Sequence, residues 1–590
     1  MEFLEGTTTF TNNTSAHNTT DGHGGALWLN SGGTVLIDSA ATVNFTGNKA
    51  TGTDRGGAIC LDTSAPSTLL VIDGTAKFTG NKAGSANTPN DIDNRNSIIK
   101  FNGKVDMDGG ITGVNGNLTI GNNDTTKNTV TMTKAAGIAG QTNFVIQKDG
   151  TLDMSESSGT ISGATATFTS SGTLITGNGA VLSDSKLTNN VGGLIQSDKD
   201  IKFQAELVTA GTANISNGTY SGAITNTGLI VATNVSDGKK GVEALRSTIT
   251  NTGGTVWLKV SKGNNGTLNS SGTVTGGMLF IGEGTTSAGT VTANANSIKA
   301  GTTAVVKSNV LRLTEGTLGG IVCGSGTNPL KYSASTTEGT LQISGNVSSA
   351  ASYIKTGTNT VDGGKNLYLT GKKDKDALGT LNKDIIGEGT VTIASGTAGD
   401  TNGNTITANA MINTSFLHIQ TNGTLCIDVD CLGGDLGTAG LKNDGTISLG
   451  ADGNDQDKEI NKDKQDAPYQ NTLQITLSDG TTNNGTTLFD PFDTGDTAGE
   501  LTTIHANANK IKTTNNYILS GTLDLTGGTL TRTLTKGTTS AGTIRISNKV
   551  EMGDNTTAGK IQNLNSYIDN TGTLTLTNGT ITGGTHNNNG

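Results

Sequence analysis

The sequence predicts an all-β fold, a right-handed parallel β-helix (β-solenoid), from three observations. Short segments that alternate apolar and polar residues, such as residues 118–120 and 144–146, recur along the chain with small polar turns between them. Glycine accounts for 87 of the 590 residues, whereas aromatic residues make up 4% and charged residues 15%. A short motif also returns at nearly fixed spacing near the N-terminus. A single thin apolar column with many turns fits all three observations.

The repeated motif has two parts, F-x-x-N and then G-G-A followed by Leu or Ile. The F-x-x-N parts lie 35 and 33 residues apart, and the glycine pairs lie 32 apart. A third F-x-x-N leads into Asn-Asp-Ile at residues 90–92 in place of a third G-G-A. This period indicates a solenoid whose repeats bury their apolar faces against each other. The motif residues are Phe10, Asn13, Gly24, Gly25, Ala26, Leu27, Phe45, Asn48, Gly56, Gly57, Ala58, Ile59, Phe78 and Asn81.

Over about residues 10–101, these motifs resemble the chlamydial polymorphic outer membrane protein family of autotransporter adhesins. The rest of the chain resembles autotransporter passengers in general. The resemblance implies a β-helical passenger at a Gram-negative cell surface that binds molecules on host or neighbouring cells, or itself. Both ends of the sequence look cut from inside a repeat array. We therefore expect a fragment whose signal peptide and outer-membrane barrel lie outside this chain.

The motif residues have a structural interpretation that needs no ligand. Phe10, Phe45 and Phe78 are expected to stack inside the column as an aromatic ladder. The asparagines are expected at a corner, in left-handed geometry and hydrogen-bonded to neighbouring backbone. The glycine pairs are expected to give the backbone freedom for a tight bend. This structural interpretation is favoured. Direct contact between the motif and a partner stays open as the alternative.

A second, longer repeat predicts how the remainder is organised. Similar segments begin at residues 291, 406 and 504, within copies near 284–320, 400–450 and 495–532. We therefore divide the chain into an F-x-x-N/G-G-A part, residues 1–110, and a continuing β-helix over residues 111–590. The repeat is read as several coils duplicated as a block.

The net charge and the cysteine content limit which binding partners, disulfides and metal sites we expect. The net charge of −10 argues against nucleic acid, because phosphate binding needs patches of Lys and Arg. Four cysteines are too few for a disulfide scaffold, and a pairing of Cys426 with Cys431 stays open beside their role as small interior residues. The sequence predicts no metal and no cofactor.

The alternatives to an adhesin are an enzyme and a purely structural stalk. A polysaccharide lyase or glycosidase needs clustered carboxylates, and Asp428 with Asp430 is the best pair in the sequence. No aromatic cluster accompanies this pair, so we expect no catalysis. His17 and His23 flank Asp21 and are read as an exposed loop rather than a metal site. Threonine rows that could bind ice are ranked last, because in sequence they look too irregular to build a flat face.

Overall fold

The structure is a computed structural model. The chain forms two compact units, the first comprising Met1–Thr292 and Ser297–Thr303, the second Ala293–Asn296, Ala304–Asn328 and Ser333–Gly590. The residues that the structure describes are 1–16, 22–30, 32–52, 55–62, 68–124, 126–162, 167–176, 181–183, 186–197, 202–203, 206–215, 219–220, 222–233, 248–260, 265–268, 273–282, 289–324, 338–371, 379–394, 404–408, 410, 412–420, 423–427, 440–443, 446–449, 472–473, 486–489, 503–506, 508, 515–518, 522–525, 527–531, 533–536, 543–553, 559–562, 567–570, 573–577, 579–581 and 585–588.

The predicted all-β fold is confirmed. Long parallel sheets of short strands build each unit, as a parallel β-helix requires, and among the described residues there is no α-helix. Short turns of 3-10 helix lie among the described residues, for example at Ala295–Ser297 and Ala351–Tyr353. Alternating β-branched residues favour strands, and parallel pairing buries the inward side of each. A right-handed coil is the expected hand for parallel connections.

In the first unit one coil contributes a strand to each of three parallel ladders. Two long strands, Glu2–Thr11 and Thr34–Thr46, serve both the first and the second ladder. The first ladder continues with Leu69–Ile72, Ile98–Phe101, Gly116–Ile120, Gln141–Ile146, Thr167–Ser170, Lys186–Asn189, Glu206–Thr209, Ile224–Asn226, Thr248–Asn251 and Thr273–Thr275. The second ladder continues with Thr75–Thr79, Lys104–Met107, Asn128–Lys134, Gly150–Ser157, Thr173–Thr176, Leu194–Ser197, Thr212–Ile215, Leu229–Thr233, Thr255–Lys259 and Met278–Ile281.

The third ladder carries the G-G-A parts of the motif. Its strands are Leu27–Asn30, Ile59–Asp62, Ile92–Arg95, Ile111–Val114, Ile138–Ala139, Thr160–Ser162, Val181–Ser183, Lys202–Phe203 and Thr219–Tyr220. A small four-stranded sheet lies beside the F-x-x-N corners and consists of Thr14–Ser15, Lys49–Ala50, Lys82–Ala83 and the antiparallel Thr88–Pro89. The strand Asn265–Leu268 also belongs to the first unit.

The second unit is also built from parallel ladders. The fourth ladder contains Val310–Leu318, Thr340–Ala350, Thr358–Val361, Asn366–Thr370, Ile385–Ile393, Ile412–Ile419 and Gly440–Asn443. The fifth contains Thr380–Leu381, Asn404–Ala408, Gly423–Ile427, Thr446–Leu449, Thr486–Phe489, Asn515–Ile518, Thr533–Lys536, Gly559–Gln562 and Gly579–Ile581. The sixth contains Thr472–Leu473, Thr503–Ala506, Thr522–Leu525, Thr543–Ile546, Tyr567–Asn570 and Thr585–Asn588. A three-stranded ladder consists of Gly528–Leu530, Val550–Met552 and Leu574–Leu576, and Ile321–Cys323 pairs in parallel with Ile354–Lys355.

The predicted subdivision can be compared with these ladders. The second ladder passes residue 110 in register, from Lys104–Met107 to Asn128–Lys134, so the motif copies and the coils after them share one unit. The strands Thr290–Ala293 and Thr303–Val306 lie where the two units divide. Of the long repeat, the second copy places Asn404–Ala408 in the fifth ladder and the third places Thr503–Ala506 in the sixth. The two copies therefore do not occupy equivalent positions in their coils.

The core of the first unit is a column of stacked side chains. In the second ladder Phe10, Phe45, Phe78, Met107 and Met132 are successive partners. The predicted aromatic ladder is confirmed: the rings of Phe10 and Phe45 stack with centroids 5.2 Å apart, and those of Phe45 and Phe78 with centroids 4.8 Å apart. Phe45 and Phe78 are buried, and burial of such rings contributes a large favourable part of the free energy of folding in their coils.

Phe45→Ala is expected to lower the free energy of unfolding by about 3–5 kcal/mol, because the ring is fully buried and stacks on both sides. Phe10→Ala is the matched control and should cost less, since Phe10 is only half-buried. Urea unfolding of the full chain measures both losses. Hydrogen exchange should rise only in the adjoining coils, because solenoid contacts are nearest-neighbour. A uniform rise across the first unit contradicts this expectation.

Candidate functional site

The three motif asparagines form a hydrogen-bonded ladder from coil to coil. Asn48 Oδ1 accepts from the backbone N–H and from Nδ2 of Asn13 at 3.0 and 2.9 Å. Asn81 Oδ1 accepts from the same two groups of Asn48, both at 3.0 Å. In return Asn48 Nδ2 donates to the Phe10 carbonyl and Asn81 Nδ2 to the Phe45 carbonyl, each at 3.0 Å. Asn48 and Asn81 are fully buried, and the ladder supplies partners that buried amides require.

The left-handed residue of the motif is not the asparagine that we expected. It is the residue directly before it: Asn12 has φ 53°, Gly47 has φ 62° and Gly80 has φ 67°. These are residue types that tolerate this conformation. The turn at this residue directs the following asparagine inward, where its side chain bonds to the neighbouring coil. The expectation of left-handed geometry for Asn13, Asn48 and Asn81 is therefore wrong, and that of hydrogen bonds to neighbouring backbone is confirmed.

The asparagine ladder ends on a buried carboxylate. Asp91 Oδ1 accepts from Asn81 Nδ2 at 2.9 Å, and Oδ2 accepts from the backbone N–H of Gly109 and Gly110 at 2.7 and 3.1 Å. Burial raises the pKa of the Asp91 carboxyl to about 6, and the negative charge of Asp108 adds to this. The three donated hydrogen bonds oppose the rise, but desolvation outweighs them.

Asp91 also explains why the third copy lacks G-G-A. Ile92 pairs with Ile59, and the N–H of Ala58 donates to the carbonyl of Asp91 at 3.1 Å. Asp91 therefore occupies the position of the motif alanine, and Asn90 occupies that of the second glycine. The third coil replaces a small apolar residue with the group that ends the ladder.

The glycine pairs are needed for space and not for unusual backbone angles. None of the four motif glycines has positive φ. A Cβ atom on Gly25 would lie 2.2 Å from the Gly57 carbonyl oxygen, and one on Gly57 would lie 2.3 Å from the Lys82 amide nitrogen. One on Gly24 or Gly56 would lie 2.0 or 1.8 Å from a carbonyl oxygen of its own turn. The expectation that these glycines supply conformational freedom is therefore wrong.

The outward side of the third ladder carries a cluster that the sequence analysis missed. Trp28 and Cys60 are register partners that point away from the core. The ring of His23 stacks on the indole of Trp28, with centroids 4.2 Å apart and planes at 11°. Arg55 Nη1 donates to Asp62 Oδ2 at 2.8 Å, and His23 Nδ1 lies 3.9 Å from the same oxygen.

The next coil extends this cluster with a second ion pair. Asp93 is the register partner of Cys60, and its Oδ2 accepts from Arg95 Nε at 2.7 Å. The Cys60 thiol is 3.7 Å from that oxygen and 3.9 Å from Arg55 Nη1. Two arginines thus face two aspartates, and the cluster is balanced in charge.

His23, Cys60 and Asp62 have the ligand types of a transition-metal site, with donor atoms within 4.8 Å of one another. The guanidinium of Arg55, however, already lies where the Asp62 carboxylate and the Cys60 thiol converge. Burial raises the pKa of the Cys60 thiol to about 12, and the charge of Asp93 adds to this, so the thiol is neutral. Metals bind the thiolate form of cysteine. A neutral thiol that already lies next to the Arg55 guanidinium therefore favours a hydrogen-bonded cluster over metal coordination.

The other candidates from the sequence have these positions. His17 and Asp21 lie outside the described residues, and His23 packs on Trp28 instead of lying in a plain exposed loop. Asp428, Asp430 and Cys431 also lie outside the described residues. Cys426 belongs to the strand Gly423–Ile427, and Cys60 and Cys323 are free, buried thiols.

Comparisons with family models, with curated proteins and with solved structures gave no match. Within the described ranges, no helix has both the length and the hydrophobicity to cross a bilayer.

Because Asp91 is buried and its carboxyl pKa is raised, we predict that the first unit becomes more stable as pH falls. Its pKa of about 6 lies above the ordinary 3.8, so the folded state binds the proton more tightly than the unfolded chain does. This stabilisation is complete below pH 3.8 and is lost as pH rises through about 6. Its size is on the order of 3 kcal/mol. Asp91→Asn should flatten the dependence between about pH 4 and pH 7, measured by urea unfolding.

The control for this experiment is Asp106→Asn, which removes a half-exposed carboxylate from the neighbouring strand. It should leave the pH dependence as in the unaltered chain. An unchanged profile in Asp91→Asn contradicts the assignment, whatever the effect of this substitution on stability at a single pH.

Gly57→Ala is expected to destabilise the first unit by about 2 kcal/mol or more, because its Cβ would meet backbone atoms of Lys82 and Asn90. Gly80→Asn is the matched control: no heavy atom lies within 4 Å of its Cβ position, and Asn12 already holds the same left-handed place in the first copy. The control should change stability by only about 0.5 kcal/mol. Thermal unfolding compares the two, and equal losses rule out the steric explanation.

Proposed function

We propose that this chain is the passenger of an autotransporter-type protein at the surface of a Gram-negative bacterium, or released from it. It acts there as a non-catalytic adhesin. Its partners are molecules on host or neighbouring cells, or further copies of itself, and a barrel outside this chain attaches it to the outer membrane. The resemblance of its F-x-x-N and G-G-A motifs to the chlamydial polymorphic outer membrane protein family supports this assignment.

The observation that carries the adhesive part of the proposal is the regularity of the outward side chains. In the first ladder one register position is held by threonine or valine in eight successive coils, and the side chains that the structure describes at this position alternate with buried core residues along their strands. The partners in this row are Thr119, Val145, Thr169, Thr188, Val208, Thr225, Thr250 and Thr275.

Such a row suits shallow, repeated contacts. Neighbouring strands lie about 4.8 Å apart, so equivalent side chains recur at that spacing. Each contact to a flat surface is weak alone, but several on one rigid scaffold raise the overall affinity steeply. The row is also more regular than the sequence suggested, because coils of unequal length hide its spacing.

The motif residues support this function indirectly. Phe45, Asn48 and Asn81 are fully buried and bond to other coils. They cannot touch a partner while the solenoid is folded. In this proposal the motif builds the scaffold, and an outward row such as that of the first ladder makes the contacts.

The double substitution Thr225→Lys and Thr250→Lys tests the row. Two added charges should lower binding to cultured host cells by about tenfold or more, since several contacts are lost together. Thr129→Lys with Thr151→Lys, on the outward side of the second ladder, adds the same charge elsewhere and should change binding less. Bead adhesion measures binding, and urea unfolding checks that both variants fold. Unaltered adhesion in both variants contradicts the proposed contact mode.

A further inference from the structure

The outward cluster of the third ladder has one feature that its ion pairs do not explain. Trp28 is 51% exposed, whereas its register partner Cys60 and the next one, Asp93, are buried. An isolated exposed apolar residue is common on protein surfaces. Trp28, however, belongs to a fixed arrangement, which calls for an explanation beyond chance exposure.

The indole is held in place before any ligand arrives. His23 stacks against one face of the ring at 4.2 Å, nearly parallel to it. The imidazole in turn faces Asp62, which Arg55 fixes through its 2.8 Å bond. Immobilising these side chains in advance removes much of the entropy cost of binding at a shallow surface.

The rim of this aromatic surface carries groups that exchange hydrogen bonds with hydroxyls. Asp62 is 32% exposed and offers a carboxylate, while Arg55 and Arg95 are 14% and 27% exposed and offer N–H donors. Asp62 belongs to the strand that pairs with that of Trp28, two residues beyond the indole's register partner. With parallel strands about 4.8 Å apart and a rise of about 3.3 Å per residue, diagonal neighbours of this kind lie roughly 8 Å apart, so one sugar ring can reach both.

We propose that Trp28, with Asp62 and the two arginines, forms a subsite for a pyranose ring of a glycan. The apolar C–H face of the sugar packs on the exposed part of the indole, as apolar surfaces do on aromatic rings. Its hydroxyls donate to Asp62 and accept from Arg55 or Arg95. The inference rests on the proposed adhesive function and names the chemical class of its partner.

Two other flat or cationic ligands fit this surface less well. A nucleobase would bring phosphate, and both arginines are already paired with aspartates in a chain of net charge −10. A quaternary ammonium group prefers a cage of several aromatic rings. Here the only ring stacked on the indole is His23, within the part of the chain that the structure describes.

The test uses the full chain and a panel of methyl glycosides of glucose, galactose, N-acetylglucosamine and N-acetylneuraminic acid. At least one should bind with a dissociation constant on the order of 1 mM, as for a single shallow site. Trp28→Ala should weaken binding at least tenfold, Trp28→Phe less, and Asp62→Asn severalfold. Tryptophan emission reports binding directly, because the only other tryptophan, Trp257, is buried.

Phe416→Ala is the control, since it removes an exposed aromatic ring of the second unit and should leave glycoside binding unchanged. Urea unfolding shows whether Trp28→Ala keeps the fold, as an outward residue should. Absence of binding across the panel overturns the subsite, and so does unchanged binding in Trp28→Ala.

Adhesion assays on untreated cells and on cells whose surface glycans are oxidised with periodate separate this inference from the adhesin proposal. If adhesion persists equally in Trp28→Ala and on oxidised cells, the subsite fails and the adhesin stands. If adhesion falls in Trp28→Ala but not on oxidised cells, the partner is a protein and the glycan assignment is overturned. If glycosides bind through Trp28 but no cell is bound, the adhesin proposal fails alone.

Discussion

Register between successive coils is the constraint on which the first unit depends. The chain from Phe10 to Phe45, Phe78, Met107 and Met132 advances by 35, 33, 29 and 25 residues, yet these side chains remain direct partners. A slip of one residue would turn every inward side chain outward. Coil length can therefore vary only in the turns, while the positions that face the column stay fixed.

The asparagine ladder secures this register at the corner where the strand pattern breaks. A buried amide without partners would cost about 1–3 kcal/mol, so any misalignment of Asn48 or Asn81 is penalised directly. Apolar stacking tolerates small shifts, whereas the paired bonds between Asn13, Asn48 and Asn81 do not. Close backbone approach at the glycine pairs adds a steric limit. Ring stacking thus stabilises the coils, whereas the asparagine ladder and the glycine pairs fix their register.

The sequence was sufficient for the parts of this arrangement that depend on type and spacing. Phenylalanines at equal positions in repeated coils have to stack, so their ladder was predictable. The left-handed residue was not, because Asn12, Gly47 and Gly80 differ in type and only the backbone shows their shared φ. Nor did the G-G-A motif reveal whether its glycines are needed for unusual backbone angles or for the close approach of neighbouring backbone. The cluster around Trp28 was missed because it joins segments about thirty residues apart, in no repeated pattern.

The division between inward and outward positions has a consequence for how such a protein acquires partners. Inward side chains contact the coils on either side, so a change there disturbs its neighbours. Outward side chains contact chiefly their own row, so Trp28 can occupy the position that Cys60 and Asp93 fill in the next coils without altering the ladder. A binding site can therefore be placed on any coil by replacing a few outward residues. Because every coil repeats the same spacing, a weak site on one coil lies at a fixed distance from those on the others, and binding strength can grow with the number of coils that contact the partner.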